Sequence, residues 1–195
     1  MSTPPFRILQ QNATELFERI LQKHGSRMNC QKGCTRCCET RFSVFSGEAE
    51  LIWNHVLSLP EEARQLLSAA WDENLTHRPN SCAFLSKGEC TVYEARPIIC
   101  RTQGAPLCLE NERAKTRTVT ACELNFAEPP GIPTEPSDWF QLNRLTELQS
   151  IAEREVRRTG GPSSSLKSLQ DREGRVGLAE LAERLVQANS ARLSG

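Results

Sequence analysis

The sequence is poor in aromatic residues, at 6% of 195 positions with a single tyrosine, and its charge is balanced, with 24 basic against 24 acidic residues. A protein that neutralises many phosphates usually carries a basic surplus, so nucleic acid is not an expected partner. No run approaches about 18 consecutive apolar residues, which excludes an ordinary membrane-spanning helix. A secretory signal is not expected at the start. Arg7, Gln10, Gln11, Glu15, Glu18 and Arg19 break every apolar stretch between Met1 and Leu21. Also missing are a repeat of fixed period, a Gly-rich strand–turn–helix for a nucleotide-like cofactor and a recognisable Ser–His–Asp arrangement. Together these absences predict a cytoplasmic protein with no membrane association, in a compartment that keeps thiols reduced.

Cysteine, by contrast, is abundant, with nine in the chain. The count is odd, and four of them crowd into the run Cys30 to Cys38. Both features suit a metal better than a disulfide framework. The remaining composition, 38% hydrophobic and 25% charged, is that of a globular chain able to build one core.

Hydrophobic spacing predicts a mostly helical α+β fold with little strand. The domain organisation expected is a helix over 1–27, a cysteine-cluster metal-binding domain over 28–126, a Pro-rich linker over 127–137, and C-terminal helices over 138–195. Leu9, Ala13, Leu16, Phe17, Ile20 and Leu21 give the first helix its apolar face, with Pro4 and Pro5 at its start and Gly25 at its end. A short strand is expected over 41–45. A helix should follow from an N-cap at Ser46 to Leu57, then another over 60–75 with Ser58 and Glu61 in capping-box spacing. The pattern of 82–93, with Ser86-Lys87-Gly88-Glu89 at its centre, reads as a hairpin. A helical turn is expected near 94–100, limited by Pro97, and Cys108 and Cys122 fall in a less regular stretch. A strong helix is expected over 138–158, a flexible turn over 162–165, and a last helix over 178–192 with Leu178, Leu181, Leu185 and Val186 on one face. Gly160-Gly161 and the pair Gly174 and Gly177 read as turns in linker-like sequence. Trp53, Trp71 and Trp139 are expected in the core or in helix packing.

The first cysteine run has the spacing C-x3-C-x2-C-C. If it were helical, Cys30, Cys34, Cys37 and Cys38 would fall within an arc of roughly 100°. Converging thiolates repel one another, and a cation reverses that by binding them, at about 2.3 Å in the case of zinc. The hairpin should bring Cys82 and Cys90 near each other, with Cys100 and Cys122 beyond. Eight cysteines are therefore candidate metal ligands: Cys30, Cys34, Cys37, Cys38, Cys82, Cys90, Cys100 and Cys122. They suffice for two four-coordinate sites, or for one cluster with spare thiols. Cys108 is set aside as a buried bystander. Arg96 and Arg101 flank Cys100 and are candidates to offset the negative charge of a thiolate site. Of the histidines, His24, His55 and His77 lack a paired partner, and His24 is expected at the surface.

The Cys30 to Cys38 run, with Cys82-Ala83-Phe84-Leu85 and Gly88 to Arg101, resembles the YkgJ-type cysteine-cluster family, a zinc- or iron-chelating domain. Thr102 to Leu107 and Cys122-Glu123-Leu124-Asn125-Phe126 resemble a subset of it. The resemblance spans about residues 28 to 126 and implies zinc or an iron–sulfur cluster, such as 4Fe–4S, held by the same eight cysteines.

Three functions compete. The first is a metal- or cluster-binding module with a structural, electron-transfer or metal-handling role and no identifiable protein partner. The second is an enzyme, since flagellin lysine N-methylases look similar in their cysteine cluster; the short chain and missing cofactor loop argue against it. The third is a thiol redox switch, permitted by Cys37-Cys38 and the spacing of Cys34 and Cys37, although no thioredoxin-like setting surrounds them.

Overall fold

The computed structural model describes residues 5–30 and 33–193. The fold is α+β and mostly helical. In chain order the elements are α1 (Pro5–His24), β1 (Ser43–Phe45), α2 (Ser46–Ser58), α3 (Glu61–His77), β2 (Leu85–Ser86), β3 (Glu89–Cys90), α4 (Ile98–Thr102), β4 (Leu107–Asn111), β5 (Thr116–Thr120), β6 (Phe140–Gln141), α5 (Leu142–Arg158), α6 (Ser164–Lys167), β7 (Arg175–Gly177) and α7 (Leu178–Leu193). The chain divides into two compact units, Met1–Lys32 with Ile98–Glu155, and Gly33–Pro97 with Val156–Gly195.

In the first unit, α1 packs on α4. Its buried residues are Phe6, Gln10, Ala13 and Ile20, a stripe of helical period. Leu21, expected on that face, is exposed, because the stripe runs through Phe6 instead. Pro4, expected at the helix start, lies outside the described residues. The sheet of this unit has strand order β5-β4-β6, with β4 and β5 antiparallel and β6 parallel to β4. The β4–β5 hairpin replaces the irregular stretch expected there, although Thr116-Arg-Thr-Val-Thr120 alternates and is β-branched. The helix expected from Asp138 begins only at Leu142. Residues 136–138 form a 3-10 turn and Phe140 pairs with Leu107 in the sheet. Trp139 is buried, and its indole N–H donates to the Pro133 carbonyl at 2.7 Å.

In the second unit, α3 packs on α7, and α2 packs on α6 and α7. Leu178, Leu181, Ala182 and Leu185 line the buried face of α7, each contributing about 1.5–3 kcal/mol for a fully buried large aliphatic side chain and less for the alanine. The expected strand near 41–45 is β1. Its partner is β7, antiparallel, with Val44 opposite Val176 and both fully buried. The segment around Gly174 and Gly177 is thus a turn and a strand rather than linker, and 164–167 is a helical turn rather than a flexible one. At the start of α2, Phe45 occupies the N-cap place expected of Ser46, and its N–H reaches the Glu48 carboxylate at 3.4 Å. The capping box expected from Ser58 does not form. Pro60 is the N-cap of α3, and the Ser58 hydroxyl donates to the His55 carbonyl at 2.7 Å.

Candidate metal centre

In the second unit the hairpin β2–β3 turns on Lys87 and Gly88, both at positive φ, 50° and 80°. Glycine supplies this conformation without a Cβ clash. Helix α3 holds the hairpin from one side. The Trp71 ring packs edge-on against Phe84 at 5.2 Å, and its N–H donates to the Thr91 hydroxyl at 2.9 Å. Thr91 donates in turn to the Phe84 carbonyl at 2.8 Å, while the Asn74 amide donates to the Ala83 carbonyl at 3.1 Å and also to that of Leu85. These bonds fix the hairpin that carries Cys90 and the segment just ahead of it that carries Cys82.

The first cysteine run is not an α-helix. Only Arg36–Glu39 is helical, as a 3-10 turn carrying Cys37 and Cys38. The run is joined to the hairpin through the backbone, because the Cys82 N–H donates to the Cys38 carbonyl at 2.7 Å. Cys37, Cys38, Cys82 and Cys90 consequently feel one another. The Cys38 thiol donates to the Cys37 sulfur. That bond, opposed by burial and helped by a backbone N–H and the Arg96 charge, brings Cys37 down to about 6. The same bond, burial, and the charges of Cys37, Cys82 and Cys90 push Cys38 far up. Burial is the main cause that raises Cys82 to about 11, partly offset by the Phe84 N–H and added to by Cys90 and Cys37.

Arg96 follows the 3-10 turn Tyr93–Ala95, and its guanidinium stacks on the Tyr93 ring at 4.0 Å. Cys34 belongs to this unit but not to a regular element.

The first unit holds Cys30, Cys100, Cys108 and Cys122. Cys100 sits on α4, and the neighbouring Arg101 donates to the Thr14 hydroxyl of α1 at 2.8 Å. The Cys30 sulfur accepts a hydrogen bond from the Asn125 amide at 3.2 Å. Cys122 opens a turn closed by the Asn125 N–H on its carbonyl at 2.9 Å. Cys108 is fully buried in β4.

His24 is not the surface histidine expected. Its Nε2 is 2.7 Å from the Asp138 carboxylate, and its Nδ1 is 3.0 Å from the Arg27 guanidinium. Arg27 can only donate, so Nδ1 accepts and Nε2 carries the proton. Both ring nitrogens are thereby committed to structure. Asn125 and the His24–Asp138 pair were not legible as contributors, because each acts on a segment far away in sequence, and Thr91 and Asn74 carry no local signal for the bonds they make.

None of the nine cysteines is in a disulfide. Among the described residues, no three histidine, cysteine or acidic side chains are arranged to hold an ion. In donor chemistry the fit is good. Four thiols share one neighbourhood, burdened by burial and mutual charge, and a thiophilic cation relieves both.

Residues 29–123 match the profile of the CxxCxxCC family, described as a "Putative zinc- or iron-chelating domain". That family's profile covers a little under half of the chain. Its name places two residues between the first two cysteines, whereas Gln31, Lys32 and Gly33 separate Cys30 from Cys34 here. The boundary between the two units falls within this longer spacer. No curated protein and no solved structure matches the chain. Among the described residues, no helix is long and apolar enough to cross a membrane.

Proposed function

We propose that this CxxCxxCC chain is a cytoplasmic metal-holding protein that binds zinc or an iron–sulfur cluster through cysteine thiolates, in a structural, electron-transfer or metal-handling role. The observation that carries the reading is the mutual influence of Cys37, Cys38, Cys82 and Cys90. Without a cation one thiolate at Cys37 makes further ionisation of Cys38 and Cys82 harder, whereas a bound metal takes the thiols deprotonated together and adds folding free energy. Cys34 belongs to the same unit, and Cys30, Cys100 and Cys122 complete the proposed complement of eight. The Arg96 charge, which favours the Cys37 thiolate, supports its role in offsetting a negative centre. Arg101 is proposed for the same role beside Cys100. A metal here would supply charge neutralisation and, as an iron–sulfur cluster, an electron store.

A second reading has one observation in its favour. The Cys38 thiol bonded to a Cys37 sulfur of lowered pKa is the arrangement of a reactive thiol pair, as in a redox switch.

The deciding experiment is purification of the full chain without oxygen, followed by elemental analysis, visible absorption and alkylation of cysteines. Stoichiometric zinc in a colourless protein, or iron with acid-labile sulfide in a brown one, is the expected result, with Cys37, Cys38, Cys82 and Cys90 protected. A metal-poor protein with reactive or disulfide-bonded cysteines overturns the metal reading in favour of the switch.

A further inference from the structure

Asn125 is only 3% exposed, and every polar function of its side chain is used. Its Oδ1 accepts the Asn29 backbone N–H at 2.7 Å. Its Nδ2 donates to the Gly104 carbonyl at 2.7 Å and to the Cys30 sulfur at 3.2 Å. A backbone N–H cannot accept and a carbonyl cannot donate, so the amide has one chemically sensible orientation. That orientation places an N–H on sulfur. Hydrogen bonds to charged acceptors are stronger than those to neutral ones, so this N–H favours a sulfur bearing negative charge, as a metal-bound thiolate does.

Two further observations make this a built niche. Gly104 has φ of 93°, and a Cβ placed there would lie 2.2 Å from the Cys30 sulfur. The absent side chain is what admits the sulfur. The Asn125 N–H also closes the turn at Cys122, and the next N–H, of Phe126, donates to the Arg27 carbonyl at 2.8 Å. The Asn29 side chain returns a bond to the Leu124 carbonyl. The segment that follows Cys122 is thus zipped onto the segment that ends at Cys30, and Asn125 ties two candidate ligands together.

We propose that Asn125 is a positioning residue for metal binding in the first unit. It orients the Cys30 sulfur as a ligand through its N–H, and Gly104 is the position that makes room for that sulfur. The proposal rests on the metal-holding reading above.

The test uses the full chain purified without oxygen, with the metal it carries. Iodoacetamide is applied before and after metal removal by a chelator, and each cysteine is read by peptide mass spectrometry. In the unmodified chain Cys30 is expected to be protected while metal is present and alkylated once it is removed. Asn125→Asp keeps the acceptor for Asn29, and Asn125→Leu keeps the approximate volume; what the two share is loss of the N–H on sulfur. Each is expected to weaken metal binding roughly 10- to 100-fold in chelator competition, as loss of partners that orient metal ligands generally does. Each should also expose Cys30 selectively, with Cys37, Cys38, Cys82 and Cys90 still protected in the loaded protein. A general structural defect would instead raise the reactivity of all ligands together. Should either variant fail to fold, the footprint of the unmodified chain still decides. The proposal is overturned if Cys30 is alkylated equally fast with and without metal, or if the folded variants keep both its protection and full metal affinity. Failure of the underlying reading has a different signature, namely no copurifying metal and no protection of Cys37, Cys38, Cys82 and Cys90, and it overturns both.

Discussion

Cys108 and Cys82 are the same residue type in opposite settings. Cys108 points from β4 into the apolar interior of its unit, fully buried. Cys82 is half-buried, follows a backbone bond to Cys38, and feels the charges of Cys90 and Cys37. The two respond differently to loss of sulfur. Cys108→Ser should leave metal content unchanged but destabilise the protein by about 1–3 kcal/mol, the usual cost of burying a hydroxyl without a good partner; urea unfolding and metal analysis on one preparation check both halves. Cys82→Ser should lower metal content per chain and remove the stabilisation that metal provides, while the metal-free protein melts close to the unmodified one. Unchanged metal content in Cys82→Ser would exclude it as a ligand.

Among the elements, the packed helices and their linking ion pairs decide stability. Leu185 on α7 is fully buried, so Leu185→Ala should cost about 2–5 kcal/mol, the range for large-to-small changes in a packed core. Chemical denaturation at neutral pH measures it. The end of α1 is tied to the 136–138 turn by Asp138, which accepts from Lys23 and His24, both at 2.7 Å. Burial acts to raise the Asp138 pKa, but these hydrogen bonds and charges outweigh it and leave the value lowered. A lowered folded-state value means that the stabilisation is fully present above the ordinary carboxylate pKa of about 3.9 and is lost as pH falls through the folded value. Asp138→Asn should therefore be less stable than the unmodified chain at pH 6. The gap should close as the acid limb is descended below about pH 4. A gap independent of pH would show that charge is not the cause.

For the molecule as a whole, metal and folding are expected to be coupled. A chelator should lower the thermal midpoint of the loaded protein, and returning the metal should restore it, since a ligand bound only by the folded state stabilises that state. Loss of metal with no change in midpoint would mean that the thiols hold a cargo which the fold does not need.

The helices were legible because their apolar residues recur at helical spacing over two turns or more, as in α1 and α7. The β2–β3 hairpin was legible from its turn residues, though it spans Leu85–Cys90 rather than the expected 82–93 and leaves Cys82 just ahead of it. Strand β7 illustrates the opposite case. It has three residues, too few for periodicity, and it forms because β1, expected from the alternation of Phe42 and Val44, lies beside it across a long stretch of chain. The late start of α5 has the same origin, since Phe140 is drawn into the sheet by Leu107.

The amino-acid sequence by itself determined the chemistry on offer: nine cysteines, eight of them in a spacing that reads as metal-binding, with Arg96 close by and no cofactor loop for catalysis. Residue type and local spacing suffice for that, because they set which atoms can bind a soft cation. Tertiary structure alone decided which thiols share a neighbourhood. Cys37 and Cys38 meet Cys82 and Cys90 in one unit, while Cys30 in the other unit is cradled by Asn125 and Gly104. The reason is physical. Electrostatic coupling and an N–H on sulfur depend on separations of a few ångströms, and residues 95 positions apart reach such separations only after the chain has folded.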